Sequence, residues 1–166
     1  MKSKKSESET YLDTFDMRVN KGISPTIEIA GHTFYVDIRM NKLRPKDNFL
    51  SNGIVFSEIE DYYNEEKKLY VIPYDPQKKE HRKIDYETIT EVPKELIVVK
   101  IPSLYKLYPI GWNRQHGYEL KEGLKNLIFK MNFKAKTGKW DDIYIPQKIR
   151  ENLESLKNSN SKGLKL

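Results

Sequence analysis

The alternation running from Thr26 to Met40 constrains the fold more than any other feature of this chain. Ile27 and Ile29 alternate with Thr26, Glu28 and Ala30, and Phe34, Val36, Ile38 and Met40 alternate with Thr33, Tyr35, Asp37 and Arg39. Successive side chains of a strand point to opposite faces, so period two on both sides of Ala30-Gly31-His32 specifies a β-hairpin with one buried face. Gly31 supplies the positive φ that a tight hairpin turn needs. A hairpin with one apolar face requires a second layer to cover it.

The remaining segments supply candidates for that layer. Asn41 to Gly53 contains Pro45, Asp47, Asn48, Asn52 and Gly53 and reads as a loop. Ser57-Glu58-Ile59-Glu60 fits a capping box opening a short helix through Tyr63. Lys68 to Tyr74 is a strand stopped by Asp75-Pro76, and His81 to Thr90 alternates weakly, as a partner strand would. Glu95 to Ile101 holds the run Leu96-Ile97-Val98-Val99, a strand buried on both faces, ended by Pro102. Ser103 to Gly117 has no period and reads as a connection. Leu120, Leu124, Leu127, Ile128 and Met131 follow helical spacing. Ile143-Tyr144-Ile145 is a short extended piece, and Pro146 suits the first turn of a last helix with Ile149, Leu153 and Leu156 on one face.

Strands first and helices last, without βαβ alternation, define the expected class as α+β: a mostly antiparallel sheet from the N-terminal two-thirds, packed by two C-terminal amphipathic helices. Its core should include Phe34, Val36, Ile38, Val71, Leu96, Val98, Leu120, Leu124, Leu127, Ile128 and Leu153. A chain of 166 residues has the length of one domain. That domain is expected over residues 25–157, between polar tails at 1–24 and 158–166.

Much chemistry is excluded at this stage. There is no cysteine, hence no disulfide, thiolate zinc site or cysteine nucleophile. His32, His81 and His116 are isolated, the glycines form no phosphate-binding loop, and no nucleophile elbow is present. Asp141 and Asp142 are adjacent, so on an extended segment they point apart, and they precede Pro146 where acids complement a helix N-terminus. Neither a metal nor a cofactor is expected. The first residues lead into no apolar core of a signal peptide, and no apolar run is long enough to span a bilayer, so a cytoplasmic protein without membrane association is expected.

Charge is unevenly distributed. Residues 99–166 carry fourteen Lys and Arg against six Asp and Glu, while residues 25–98 carry eleven against fourteen. Within the basic part, Lys121, Lys125, Lys130, Lys134, Lys136 and Lys139 face one acid, Glu122. Just before them, Tyr108, Trp112, Arg114 and His116 lie in a glycine-bracketed aromatic segment, a combination able to stack on bases while the lysines neutralise phosphates. The leading expectation is a non-enzymatic accessory protein binding nucleic acid through its C-terminal half. The alternatives are a protein–protein adaptor anchored by Trp112, and an enzyme whose site is assembled from residues such as Arg114, His116 and Asp141.

Overall fold

The computed structural model describes residues 23–48, 50–124 and 130–163. Most of the expected N-terminal tail, together with Lys125, Leu127 and Ile128, lies outside those residues. Thr26–Ile29 (β1) and His32–Asp37 (β2) form the hairpin, with Ile27 opposite Phe34 and Ile29 opposite His32. Its two-residue turn has φ of 49° at Ala30 and 83° at Gly31, the doubly positive pattern that matches the twist of paired strands. Ile27, Ile29, Phe34 and Val36 are all fully buried, as the alternation indicated. β2 ends at Asp37, however, so Ile38, expected in the core, is only partly buried and Met40 is exposed.

The segment read as a loop from Asn41 begins instead with a strand, Lys42–Pro45 (β3), antiparallel to β2. Leu43 and Pro45 are buried while Lys42 and Arg44 stay half-exposed, a period-two pattern masked by the surrounding Asn, Asp and Gly. Pro45 is accommodated because it ends the strand. Ile54–Val55 (β4) completes this side, paired to β3. The expected capping box is also absent. Phe56–Glu58 and Glu60–Tyr62 are two 3-10 turns with no side-chain cap. Phe56, Ile59 and Tyr62 all pack into the core, and their three-residue spacing suits the 3-10 repeat rather than an α-helix.

A second sheet follows. Leu69–Asp75 (β6) pairs antiparallel with Ile97–Pro102 (β8), and Tyr63–Asn64 (β5) and Glu80–His81 (β7) also pair with β6. The strand expected from His81 to Thr90 is therefore only a stub. The buried Asp75 carboxylate accepts from Gln77 N and Lys78 N at 3.0 Å and from Arg82 Nη2 at 2.7 Å, which ties the residues around the turn together. Further on, the carbonyls of Tyr86 and Ile89 accept from Asn152 Nδ2, both at 2.8 Å, in place of ladder partners.

One stretch joins the two sheets. Asn132–Lys134 (β9) runs parallel to β1, and Lys136–Thr137 (β10) pairs antiparallel with β8, so the chain passes between sheets at Ala135. The strand orders are β4-β3-β2-β1-β9 and β10-β8-β6-β5. On the other side, Ser51 Oγ donates to Lys79 O at 3.1 Å and Asn52 N to Glu80 Oε1 at 2.9 Å. The main core joins Ile27, Phe34 and Leu43 of the first sheet to Ile72, Tyr74, Val99 and Ile101 of the second.

Among the described residues, three helices complete the α+β fold. Leu104–Leu107 (α1) and Pro109–Gln115 (α2) add Leu107, Tyr108 and Ile110 to the main core. Ile145–Gly163 (α3) has Pro146 in its first turn as expected, and Ile145 and Ile149 pack with Val71, Val98 and Leu96 in a second cluster. β8 is thus covered on both faces, since Val99 and Ile101 belong to one cluster and Val98 to the other. Leu153 and Leu156 lie on the same helix but are about half exposed, because α3 runs past the body of the domain. The extended piece at Ile143-Tyr144-Ile145 is replaced by a 3-10 turn, Trp140–Ile143, and a left-handed Tyr144 at φ 60°. The helix expected from Leu120 is not present at its described ends. Leu120 to Leu124 form turns, only partly buried, and Met131 leads directly into β9. Among the described residues, no helix is long and apolar enough to cross a membrane.

Candidate functional site

The aromatic segment forms helix rather than loop. Ser103 Oγ accepts from Lys106 N to cap α1, and Pro109 opens α2 where its missing N–H costs nothing. Gly111 is needed for packing, since a Cβ there would lie 2.9 Å from the Tyr108 ring. Buried Asn113 sends its Nδ2 hydrogens to the carbonyls of Leu120 and Glu122, each at 3.0 Å, and so holds the following turn against the helix.

Helical geometry separates the residues that sequence spacing had grouped. Positions two apart on a helix point about 200° from one another, so Trp112 and Arg114 face opposite ways. Trp112 and His116 line a cleft of about 490 Å³ with Tyr105, Tyr70, Phe56 and Glu60. The Trp112 ring is half-buried, stacked on His116 at 3.9 Å and near-parallel to Tyr118 at 5.8 Å, with Tyr105 edge-on at 5.2 Å. His116 Nδ1 sits 2.8 Å from Trp112 O. Tyr118, the last residue of the aromatic segment, is 53% exposed and offers more open ring surface than Trp112. Tyr108 is only 6% exposed, so its ring belongs to the core and is not a stacking platform.

Arg114 faces a second cleft, of about 600 Å³, shared with Arg39, Arg44, Tyr35, Asp37 and the edge of Tyr108. Arg44 Nε donates to Asp37 Oδ2 at 3.4 Å, and its guanidinium lies 5.3 Å from the centre of the Tyr35 ring. Arg114, His116 and Asp141, named as examples of residues from which an enzyme site could be assembled, do not share one cleft. The first two line different clefts, and Asp141 lines neither.

Lys134 and Lys136 lie on β9 and β10, Lys130 just before them and Lys139 just after. Lys130, Lys134 and Lys136 are exposed, while Met131, Phe133 and Ala135 between them are half-buried, a period-two pattern across the junction of the two sheets. The Lys130 ammonium lies 5.2 Å from the Phe133 ring centre, and Lys134 pairs with Glu28 at 3.7 Å. Lys136 stands directly opposite Lys100 on β8. Lys139 is also exposed, and its backbone N–H donates to Asp142 Oδ2 at 2.8 Å. That bond, reinforced by the Lys100, Lys67 and Lys139 ammonium groups, holds the Asp142 carboxyl below its ordinary pKa. Lys121 is exposed on the turn held by Asn113, and Lys125 is outside the described residues.

A third cavity, of about 910 Å³, falls where the sequence had marked nothing. Tyr62, His81, Ile84, Tyr86, Ile143 and Tyr144 line it, with Glu58, Asp61, Lys83 and Lys148 among its charged residues. Burial is the main cause raising both tyrosine pKa values, and the two side chains are hydrogen-bonded to each other. His81 packs edge-on to Tyr62 at 5.7 Å, its Nε2 is buried without a hydrogen-bond partner, and burial lowers its pKa below the ordinary 6.5. The unfolded chain therefore takes up the His81 proton first, so its contribution to stability is complete above about pH 6.5 and is lost as pH falls toward the folded value. Melting temperature should fall between pH 7.5 and pH 5.5, and His81→Leu should flatten that dependence. An unchanged slope in the variant would show that another group governs it.

Among the described residues, no group of three His, Asp or Glu side chains is placed to hold a metal ion. No known protein family, curated protein or solved structure matches this chain.

Proposed function

We propose that this protein binds single-stranded nucleic acid along the lysine-bearing strand at β9–β10. The observation that carries the reading is the outward row Lys130, Asn132, Lys134 and Lys136, whose inward neighbours anchor it to the core. Alternate residues of a strand stand about 6.7 Å apart, a repeat similar to that of consecutive phosphates on an extended single strand. Lys100 stands directly opposite Lys136 and adds a further cation beside the row, although its ammonium is already paired with Asp142 at 3.8 Å. Tyr118 and His116, stacked with Trp112, supply exposed rings on which a base can rest.

Fluorescence anisotropy with short single- and double-stranded oligonucleotides over a range of salt concentrations tests this. Tyr118→Ala should cost roughly 1–3 kcal/mol on single strands, less on duplex, with little change in salt slope. Tyr108→Ala should instead lower the melting temperature, since that ring is buried. Absence of binding to every oligonucleotide at low ionic strength, with the protein folded, would leave the adaptor reading ahead. The half-exposed Leu153 and Leu156 on α3 favour that second reading.

A further inference from the structure

The cleft between the β2–β3 turn and α2 has its own chemistry, separate from the lysine strand. Three guanidinium groups, Arg39, Arg44 and Arg114, line it against one carboxylate, Asp37. Guanidinium groups do not lose their charge at any ordinary pH, so the cleft carries a standing surplus of two positive charges. Asp37 does not relieve it further, because its oxygens are already engaged. Oδ2 accepts from Arg44 Nε at 3.4 Å and Oδ1 from Met40 N at 3.1 Å. Among the described residues, neither Arg39 nor Arg114 forms an ion pair with an acid.

Arginines on a convex surface point apart into water, where their repulsion is screened. Here they share a concave site beside the Tyr35 ring, where repulsion is felt more strongly and a bound anion gains correspondingly. Arg44 is already oriented by Asp37 and by the Tyr35 ring, so its planar fork is held before any ligand arrives. The charge surplus also discriminates between anions. A phosphomonoester carries about −1.5 to −2 at neutral pH and balances the cleft, whereas the single charge of a phosphodiester leaves it half compensated. A volume of about 600 Å³ exceeds what a phosphate alone would fill, and the half-buried Tyr35 ring offers the remainder a planar surface.

We propose that this cleft binds a phosphomonoester attached to a larger planar group, as at the terminal phosphate of a nucleic-acid strand or in a free nucleoside monophosphate. The site does not depend on the strand-binding reading, because its arginines lie on the β2–β3 turn, β3 and α2 rather than on β9–β10.

The test compares 5′-phosphorylated and 5′-hydroxyl oligonucleotides of one sequence by anisotropy, and adenosine 5′-monophosphate, adenosine and inorganic phosphate by thermal shift. Arg39→Gln and Arg114→Gln change exposed side chains, and melting of the free variants confirms that they are folded. The monophosphate should raise the melting temperature where adenosine does not, and either substitution should weaken phosphomonoester binding about ten- to a hundredfold. A matching preference for the phosphorylated oligonucleotide identifies a strand end as the source. Stabilisation by the monophosphate without that preference identifies a free nucleotide. If the monophosphate is bound and no oligonucleotide is, the strand-binding reading fails and this one stands. The proposal is overturned if phosphorylated and unphosphorylated ligands bind alike, or if a phosphate preference survives both arginine substitutions.

Discussion

Phe34→Ala should destabilise the protein by about 3–5 kcal/mol, through lost transfer energy and the cavity left behind. Domains of this kind hold only about 5–15 kcal/mol in total, so such a loss takes a large share of the whole. Phe34 has no exposed surface, stands opposite Ile27 and Pro45, and meets Tyr74 of the other sheet edge-on with ring centres 6.2 Å apart. It therefore links both sheets as well as two strand pairs. Urea unfolding at equilibrium measures the effect, which should appear as a lower midpoint at unchanged slope. Tyr35→Ala, one residue along on the outward face, should cost about 1 kcal/mol or less. The contrast tests register directly, because a slip by one residue would exchange the two outcomes.

Replacing Lys130, Lys134, Lys136 and Lys139 together by Gln should reduce affinity for a single-stranded oligonucleotide about a thousandfold at 0.1 M salt. Each phosphate contact on a single strand contributes about 0.7 to the slope of log affinity against log salt, so losing four removes nearly three units. The affinities of wild type and variant should then converge as salt approaches 1 M, where counterion release no longer drives binding. All four lysines are exposed and none is a core residue, so melting should change little. A drop that persists undiminished at high salt would point to lost local structure around β9–β10 and remove the lysine row from the proposal.

That row was also legible in the sequence, though under another assignment. Lys130 to Lys136 alternates with Met131, Phe133 and Ala135, but the leucine spacing that begins at Leu120 carried the helix reading through Met131. Helical and extended periods can share a residue, and the boundary between them is set by what each neighbouring segment finds to pack against. Lys42 to Pro45 shows the same ambiguity, since four residues are too few to display a period against a background of Asn, Asp and Gly.

Local physics alone determined several features. Period two placed Ile27, Ile29, Phe34 and Val36 on one face, and Gly31 placed the turn. The aliphatic run in β8 announced burial on both sides, and Pro146 marked the start of α3. Each depends on neighbours in sequence, where side-chain direction follows from backbone geometry. Tertiary structure alone decided what those elements assemble into. Arg39, Arg44 and Arg114 lie on separate elements and share a cleft only because α2 packs beside the β2–β3 turn. Tyr62, His81 and Tyr86 meet only because two turns and a strand stub surround one cavity. Conversely, Trp112 and Arg114, two residues apart, were separated once the segment between Pro109 and Gln115 became a helix. Contacts between distant residues arise from the packing of whole elements, and no local spacing records that packing.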